Sequence, residues 1–237
     1  MKEPENQAPD QIIMGEIDPA SSPAEVHAPI TYKAEVWRKA IHLVALVVPL
    51  GMALLGKAWS LYLLVPTTIL AFTGDVMRVR SAWFAGFIQR FLGFMMRREE
   101  VPPVGGPVTI NGATWVLLSA TLLALIFPIR IAVVAFVMFM LSDAAAALVG
   151  RRFGRTRWGR SNRTVEGSLA FLAMGLGIIA LFPTVVFWVG AVSVVAAALA
   201  EVPSGPFNDN LRVPMVAAAL IFLLERFVLG MDVSLFF

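Results

Sequence analysis

Long apolar runs with almost no charged residues recur along most of this chain, and they limit the folds it can adopt. A transmembrane helix needs about 20 mostly apolar residues, with roughly 17 to 25 observed. Hydrophobic residues make up 58% of the 237 residues and charged residues 15%, whereas soluble domains are about half apolar and about a quarter charged. The sequence therefore predicts an all-α fold, a polytopic membrane helical bundle.

About seven helices are predicted to cross the membrane, several joined by very tight turns at Gly56, Pro128 and Pro183. Their ranges are 40–55, 58–73, 113–127, 129–149, 168–182, 184–203 and 213–229. Residues 82–98 are too interrupted by polar residues to span, and their interleaved aromatic residues, methionines and arginines predict an amphipathic helix in the membrane surface. Residues 1–30 predict a disordered cytoplasmic tail, followed by one membrane catalytic domain over 31–237.

Most of the 19 lysine and arginine residues lie before the first span or in the segments 74–112, 150–167 and 201–212. This bias predicts an integral protein of the inner (cytoplasmic) membrane, with its N-terminus and these segments in the cytoplasm. The absence of cysteine excludes disulfides and thiolate zinc sites. Any metal must therefore be held by oxygen or by the two histidines, and oxygen ligands favour Mg²⁺.

The stretch EVWRKAIH places Glu35, Arg38, Lys39 and His42 on one helical face just before and inside the first span. The basic pair is also typical of a juxtamembrane anchor. His42 lies one turn inside the span, where polar groups usually face the bundle interior, which favours a role in a site.

Asp143 lies at the end of an otherwise uncharged run, in LSDAAAALVGRRFG. A charged residue at mid-membrane costs about 2.5 to 3.5 kcal/mol on insertion scales, so it predicts a functional site, with a cap or a pairing partner as the alternative. Gly150 and Gly154 follow on one small-residue face that allows a helix or a ligand to approach the backbone. Asp75, in TGDVMR, is a second candidate, although its spacing from Arg78 is also that of an ordinary helix-end pair.

GRTRWGRS, over 154–161, almost spells the phosphate-loop pattern. It follows a membrane helix rather than a strand and has Arg160 in place of the lysine, so the match is accidental. The loop still predicts a polyphosphate cradle because arginines, glycines and a Ser/Thr-rich turn precede a new helix. Its candidate residues are Gly150, Arg151, Gly154, Arg155, Arg160, Arg163, Thr164, Glu166 and Gly167. The alternative is that the arginines contact anionic lipid headgroups.

Glu201 ends a span, and Asp209 and Asn210 follow in ALAEVPSGPFNDNLRVP. Carboxylates at a membrane edge beside a basic loop suit a magnesium-bound nucleotide, because Mg²⁺ is usually held by one or two carboxylates plus substrate phosphates. The NDN stretch is equally typical of a turn and helix cap.

The order E..RK..H, GD..R, NGATW, SDAAAALVGRRFG, NRTVEGSLAF and AEVP.....DNLRVP resembles the CTP-dependent polyprenol and diacylglycerol kinases, which include dolichol kinases, phytol kinases and fungal-type diacylglycerol kinases. The resemblance covers about 35–230. It implies a membrane enzyme that transfers the γ-phosphate of CTP to the hydroxyl of a lipid alcohol: polyprenol, phytol or diacylglycerol.

This resemblance also implies that 143–167 and 201–210 form the site for CTP and Mg²⁺. We expect Asp143, Glu201 and Asp209 to contact the metal, and Arg38, Lys39, Asn210 and the basic loop to contact the nucleotide. Asp75, Asp143 and His42 are the candidates for accepting the proton of the lipid hydroxyl. Arg163 stands where the family usually has lysine, which keeps the charge and changes the geometry.

Two other functions stay open. Phosphatidate cytidylyltransferases are similar over 142–167, but their SPKKT wording is missing here and the DNLRVP ending is kinase-like. A lipid transporter or lipid-binding protein also has interrupted spans, although the polar candidates here gather on one membrane face. No nucleic acid partner is indicated, and the sequence leaves room for a homo-oligomer.

Overall fold

The structure is a computed structural model that describes residues 36, 39–40, 42–92, 103–159, 161, 163–203 and 208–236, without the side chains of 91 and 92. The predicted tail and the candidates Glu35, Arg38 and Arg160 lie outside the described residues. The described part of the chain is mostly helical, and in place of strands it has one isolated bridge between Arg157 and Thr164. The all-α prediction is confirmed for this part.

Seven α-helices follow one another along the described residues. They are α1 (Val47–Arg80), α2 (Ala82–Leu92), α3 (Gly112–Ile126), α4 (Ile129–Phe153), α5 (Val165–Leu181), α6 (Phe187–Glu201) and α7 (Asp209–Leu223). A π-helical turn, Leu224–Val228, extends α7. The described residues of 36–44 are helical as well and lead into α1.

The predicted turn at Gly56 is a sharp break inside α1. Gly56 has φ 73° and ψ −179°, a conformation that glycine adopts far more easily than residues with a Cβ. Beyond it the helix does not end at residue 73 as predicted but continues to Arg80. Lys57, next to the break, donates a hydrogen bond from Nζ to the carbonyl of Phe127 at 3.2 Å, so the break lies beside the turn between α3 and α4.

Two helical stretches, His42–Arg80 and Ile129–Phe153, are long and apolar enough to cross a membrane. The apolar helices Gly112–Ile126, Val165–Leu181 and Phe187–Glu201 are shorter. At 1.5 Å per residue, their 15 to 17 residues measure about 22 to 26 Å, slightly less than the hydrocarbon core of about 30 Å. The first stretch exposes many large apolar side chains, among them Leu54, Trp59 and Tyr62, as expected of a surface that contacts lipid.

The predicted surface helix begins at Ala82 as expected, and its described part ends at Leu92. Trp83 and Phe87, one turn apart, stack with their ring centroids 5.9 Å apart, and both side chains are exposed. The remainder of the prediction, 93–98, lies outside the described residues.

Helix α4 occupies the centre of the bundle and packs on α1, α3, α5 and α7. Its buried residues include Phe136, Met138, Phe139 and Met140, which are fully enclosed. A helix that is apolar on most sides is expected at such a position. Asp143 follows directly after this enclosed stretch, so the fold itself buries its carboxylate.

Glycines allow α4 and the start of α5 to approach each other closely. A Cβ built on Gly150 would lie 2.8 Å from Oγ1 of Thr164, and one built on Gly167 would lie 2.9 Å from the carbonyl oxygen of Ala146. Real Cβ atoms do not tolerate such distances to backbone. The small-residue face of α4 is therefore occupied by another helix, one of the two options that the sequence left open.

We predict that Gly167→Ala destabilises the protein by about 1 to 3 kcal/mol, because the added methyl group overpacks this crossing. The matched control is Gly177→Ala on the same helix, where a Cβ meets no atom within 4 Å. That control should be neutral or stabilising by up to about 1 kcal/mol. The free energy of unfolding in mixed micelles checks both variants, and equal stabilities would contradict the packing argument.

A buried ion pair closes the opposite end of α4. Arg130 in its first turn donates to both carboxylate oxygens of Glu225, from Nη1 at 3.0 Å and from Nη2 at 2.6 Å. Glu225 is fully buried in the π-helical turn. Arg130 also donates to the carbonyl of Thr184, so one guanidinium connects α4, the turn before α6 and the end of α7.

We predict that Arg130→Met costs about 3 to 5 kcal/mol, because it leaves a buried carboxylate without its cation. The double variant Arg130→Met with Glu225→Leu should recover much of that loss, since it removes both charges. Unfolding measurements on the two single variants and the double variant form a double-mutant cycle. Additive losses would show that the pair does not stabilise the fold as a unit.

Candidate functional site

Asp143 is held by two basic side chains from the helical segment before α1. Lys39 Nζ donates to Oδ2 of Asp143, and Nε2 of His42 lies 3.6 Å from the same oxygen. The His42 ring packs edge-on against Phe139 at 6.2 Å. Lys39 and Asp143 are both buried, so each charge relies on the other for the stabilisation that water would give outside.

Arg163 forms a second centre, where the start of α5, the end of α6 and the start of α7 meet. Its Nη1 lies 2.9 Å from Oε1 of Glu201, and its Nη2 donates to Oδ2 of Asp209. Arg212 donates to the other oxygen of Asp209 at 2.5 Å and to the carbonyl of Pro203 at 2.7 Å. Glu201 is buried, while Arg163 and Asp209 are each about 30% exposed, so solvent reaches one side of this cluster.

The two centres belong to one electrostatic site. Burial by itself lowers the pKa of Arg163, but the negative charges of Glu201, Asp143 and Asp209 outweigh it and hold that pKa above its ordinary value. Coulomb interactions weaken with distance, and between exposed charges they are largely screened by salt beyond about 10 Å. A common role of Asp143, Arg163, Glu201 and Asp209 in binding CTP and Mg²⁺ stays a prediction.

The basic loop folds back as a narrow turn over the start of α5. Thr164 caps the helix, its Oγ1 accepting from the backbone N–H of Gly167 at 3.1 Å. The Glu166 carboxylate accepts from the backbone N–H of Thr156 at 3.2 Å and 3.3 Å. Hydrogen bonds from its own backbone N–H and from those of Arg155 and Thr156 hold the pKa of Glu166 below its ordinary value. Glu166 therefore shapes the loop, whereas Arg151 and Arg155 extend into solvent beside the site.

The glycines predicted to line a phosphate cradle have a structural use in this crossing. Gly150 and Gly154 both face Thr164, and Gly167 faces the backbone of α4. Their role in nucleotide contact stays a prediction. Their effect on the site is indirect, since the close crossing brings Arg163 toward Asp143.

Asp75 lies in a separate network, at the C-terminal part of α1. It is buried and accepts from Nη2 of Arg78 at 2.9 Å, from the backbone N–H of Asn111 at 3.0 Å and from Nδ2 of Asn111 at 2.6 Å. Arg78 also donates to the carbonyl of Thr109. The predicted Asp75–Arg78 pair is therefore present, and the role of Asp75 as a proton acceptor stays a prediction.

Binding of Mg²⁺ by Asp143, Glu201 and Asp209 stays a prediction. The described part of the chain contains no group of three or more acidic, histidine or cysteine side chains arranged to hold an ion. Each predicted ligand instead contacts a cationic side chain: Asp143 contacts Lys39, and Glu201 and Asp209 both contact Arg163. This donor set suits a cation that arrives together with a negatively charged ligand rather than one bound permanently.

Two contributors to the site were missed from the sequence. Arg212 was counted only for its charge, although its i+3 spacing from Asp209 is that of a helical ion pair. Asn111 was noted only in the NGATW pattern, although asparagine before a helix is a common N-cap. Asn210, which was predicted, donates from Nδ2 to the carbonyl of Gly112 at 3.4 Å and so connects α7 to α3.

The fold and site together define an all-helical, membrane-associated protein in which charged side chains cluster where helix ends meet, beside an arginine-rich loop. Three curated proteins show similarity to the chain. A CTP-dependent diacylglycerol kinase 1 of Schizosaccharomyces pombe is 28% identical over 218 residues, which cover 81% of this chain and 94% of that protein. A protein of the same name from Saccharomyces cerevisiae is 25% identical over 174 residues, covering 66% of this chain and 58% of its own.

An uncharacterized protein of Rickettsia prowazekii is 27% identical over 189 residues, covering 75% of this chain and 88% of that protein. No protein-family model matches the chain, and no solved structure matches it significantly. The kinship is therefore distant, extends over most of the chain and includes two proteins with the same kinase name.

We predict that Arg163→Ala destabilises the ligand-free protein by about 1 to 3 kcal/mol, because it leaves the buried Glu201 carboxylate without its cation. Arg163→Lys should lose less stability, since the positive charge remains while the simultaneous contact of one guanidinium with Glu201 and Asp209 is lost. Adding Glu201→Gln to Arg163→Ala should restore part of the stability. Unfolding in mixed micelles measures all three, and a smaller effect of Ala than of Lys would contradict the geometry.

Proposed function

We propose that the chain is a CTP-dependent lipid kinase that transfers the γ-phosphate of CTP to the hydroxyl of a membrane lipid alcohol. The observation that carries this proposal is the convergence of Arg163, Glu201 and Asp209 within electrostatic range of Asp143. The two relatives named CTP-dependent diacylglycerol kinase support it at the level of the family. Diacylglycerol is accordingly the first substrate to test, with polyprenol and phytol beside it.

The phosphate donor would bind at the solvent-accessible side of the cluster. Arg163, Arg151 and Arg155 supply positive charge for the triphosphate, and guanidinium groups pair with phosphate oxygens in a bidentate manner. Glu201 and Asp209 would hold a Mg²⁺ ion that accompanies the nucleotide, and the ion would neutralise negative charge on the phosphates. Arg163 exchanges those carboxylates for phosphate when the nucleotide arrives.

The acceptor hydroxyl would approach from within the bilayer toward Asp143. In the transfer, an oxygen–phosphorus bond forms to the lipid oxygen, the bond between the β- and γ-phosphates breaks, and CDP leaves. The hydroxyl proton passes to a base, and Asp143, which Lys39 and His42 orient, is the carboxylate beside the cluster. Most of the catalysis comes from positioning and charge neutralisation, as in other phosphoryl transfers.

The same proposal includes how the helices cross the membrane and which side of it the site faces. Seven spans cross the membrane. Two of them are the halves of α1 on either side of Gly56, and the other five are α3, α4, α5, α6 and α7. The basic segments and the site face the cytoplasm, in line with the charge bias. Helix α2 lies in the membrane surface with Trp83 and Phe87 toward lipid.

The test uses purified protein in detergent with Mg²⁺, a panel of diacylglycerol, polyprenol, phytol and phosphatidate, and CTP labelled separately at the γ- and α-phosphates. We expect γ-label in one of the lipid alcohols and no α-label in lipid. Label from the α-phosphate in lipid, with release of pyrophosphate, would identify a phosphatidate cytidylyltransferase instead. Binding of lipid without transfer of either label would indicate a transporter or lipid-binding protein.

Asp143→Asn should lower kcat by about 10² to 10⁴-fold, the range for removal of a positioned base. The matched control is Asp232→Asn, because the Asp232 side chain is fully exposed and pairs with Arg226 outside the cluster. That control should retain full activity. Equal activity of both variants would remove Asp143 from the mechanism, provided that each variant unfolds at the wild-type denaturant concentration.

A further inference from the structure

Asp75 is buried, as Asp143 is, yet its surroundings differ in kind. Both of its oxygens are occupied: Oδ1 accepts from Arg78 and from Nδ2 of Asn111, and Oδ2 accepts from the backbone N–H of Asn111. The residue is 1% exposed. A general base needs hydrogen-bond access to the group that it deprotonates, and in the buried Asp75 carboxylate three donors already occupy three of its about four acceptor positions.

Asn111 connects Asp75 to the start of α3. While its Nδ2 and backbone N–H bind the Asp75 carboxylate, its Oδ1 accepts from the backbone N–H of Thr114 at 3.0 Å. It is thereby the N-cap of α3, a position where a side-chain acceptor satisfies an otherwise unpaired backbone N–H and stabilises the helix. Asp75 thus fixes both the rotamer of the cap and the place where α3 begins.

The start of α3 in turn contacts the start of α7. The carbonyl of Gly112, the first residue of α3, accepts from Nδ2 of Asn210 at 3.4 Å. Asn210 directly follows Asp209, which pairs with Arg163 and Arg212. A path that alternates hydrogen bonds with single backbone links, Asn111 to Gly112 and Asn210 to Asp209, therefore leads from Asp75 to the proposed nucleotide site across helices α1, α3 and α7.

We propose that Asp75 is a positioning residue for the nucleotide site, that it acts through Asn111 and Asn210 on the placement of Asp209, and that it takes no proton in the reaction. This inference rests on the proposed kinase function for its kinetic consequences. Its structural part, the link between Asp75 and the start of α7, holds for the ligand-free protein and is tested separately.

The kinetic test is Asp75→Asn, which keeps the shape of the side chain and removes its charge. We expect the KM for CTP to rise by about 5 to 50-fold, kcat to fall by less than about fivefold and the pH profile of kcat to keep its shape. Loss of a positioned base would lower kcat by about 10² to 10⁴-fold and remove the acidic limb of the pH profile. That second pattern would overturn the inference.

Coupling between the two ends of the path is measured with Asn210→Ala alone and in combination with Asp75→Asn. If Asp75 acts through Asn210, the two increases in KM are less than additive on a logarithmic scale, as contacts in one network are. Ser119→Ala, a buried hydroxyl on α3 outside the path, is the matched control and should combine additively with Asp75→Asn. Additivity in both pairs would overturn the inference.

Hydrogen exchange in the ligand-free protein separates this inference from the proposed function. The backbone N–H groups of Asn210, Leu211 and Arg212 bond to Asn208 at the start of α7. Asp75→Asn, or Asn111→Ser if the first variant does not fold, should accelerate their exchange by about tenfold, and Ser119→Ala should not. Faster exchange in a protein without kinase activity would retain the link and refute the kinase. Unchanged exchange in an active enzyme would refute the link alone.

Discussion

Charge burial in an apolar bundle is the constraint on which this structure depends. An ion moved into an apolar interior pays several kcal/mol in lost hydration unless a partner of opposite charge compensates. The buried carboxylates discussed above each meet that condition, Asp143 with Lys39, Asp75 with Arg78, Glu201 with Arg163 and Glu225 with Arg130. Three of these pairs join elements far apart in the chain, Lys39 and Asp143 being 104 positions apart, so they fix which helix ends meet.

Close packing determines where those pairs can form. Because Gly150 and Gly167 lack side chains, the start of α5 reaches the backbone of α4. Arg163, just before α5, is thereby brought within electrostatic range of Asp143, which lies about two turns before Gly150 on α4. The glycines thus set the distance between α4 and α5, and this short distance allows the charged residues Arg163 and Asp143 to interact.

Local features of this structure were predictable from the sequence, and the pairings were not. Apolar runs and the breakers Gly56, Pro128 and Pro183 depend on neighbouring residues alone, so the helices and tight turns follow from them. The candidate residues were predictable too, because a charge in an apolar run is costly wherever it lies. Which cation meets which carboxylate depends on tertiary packing. The same limit explains why the sequence could not show that Gly150 and Gly167 allow the close crossing of α4 and α5, and why the Glu225 pair was not foreseen.

The charge balance of the ligand-free site bears on how the proposed substrate would bind. Asp143, Glu201 and Asp209 are matched by Lys39, Arg163 and Arg212, so the cluster carries no large unpaired charge before ligand arrives. A magnesium-bound triphosphate brings both signs of charge. On binding, the carboxylates that pair with Arg163 can pair with the cation instead, and Arg163 can pair with the phosphates. Each ion pair that breaks is then replaced by another. Such an exchange avoids exposing a bare buried charge at any stage, and it lets a site held closed by its own ion pairs open for the nucleotide without losing the packing around it.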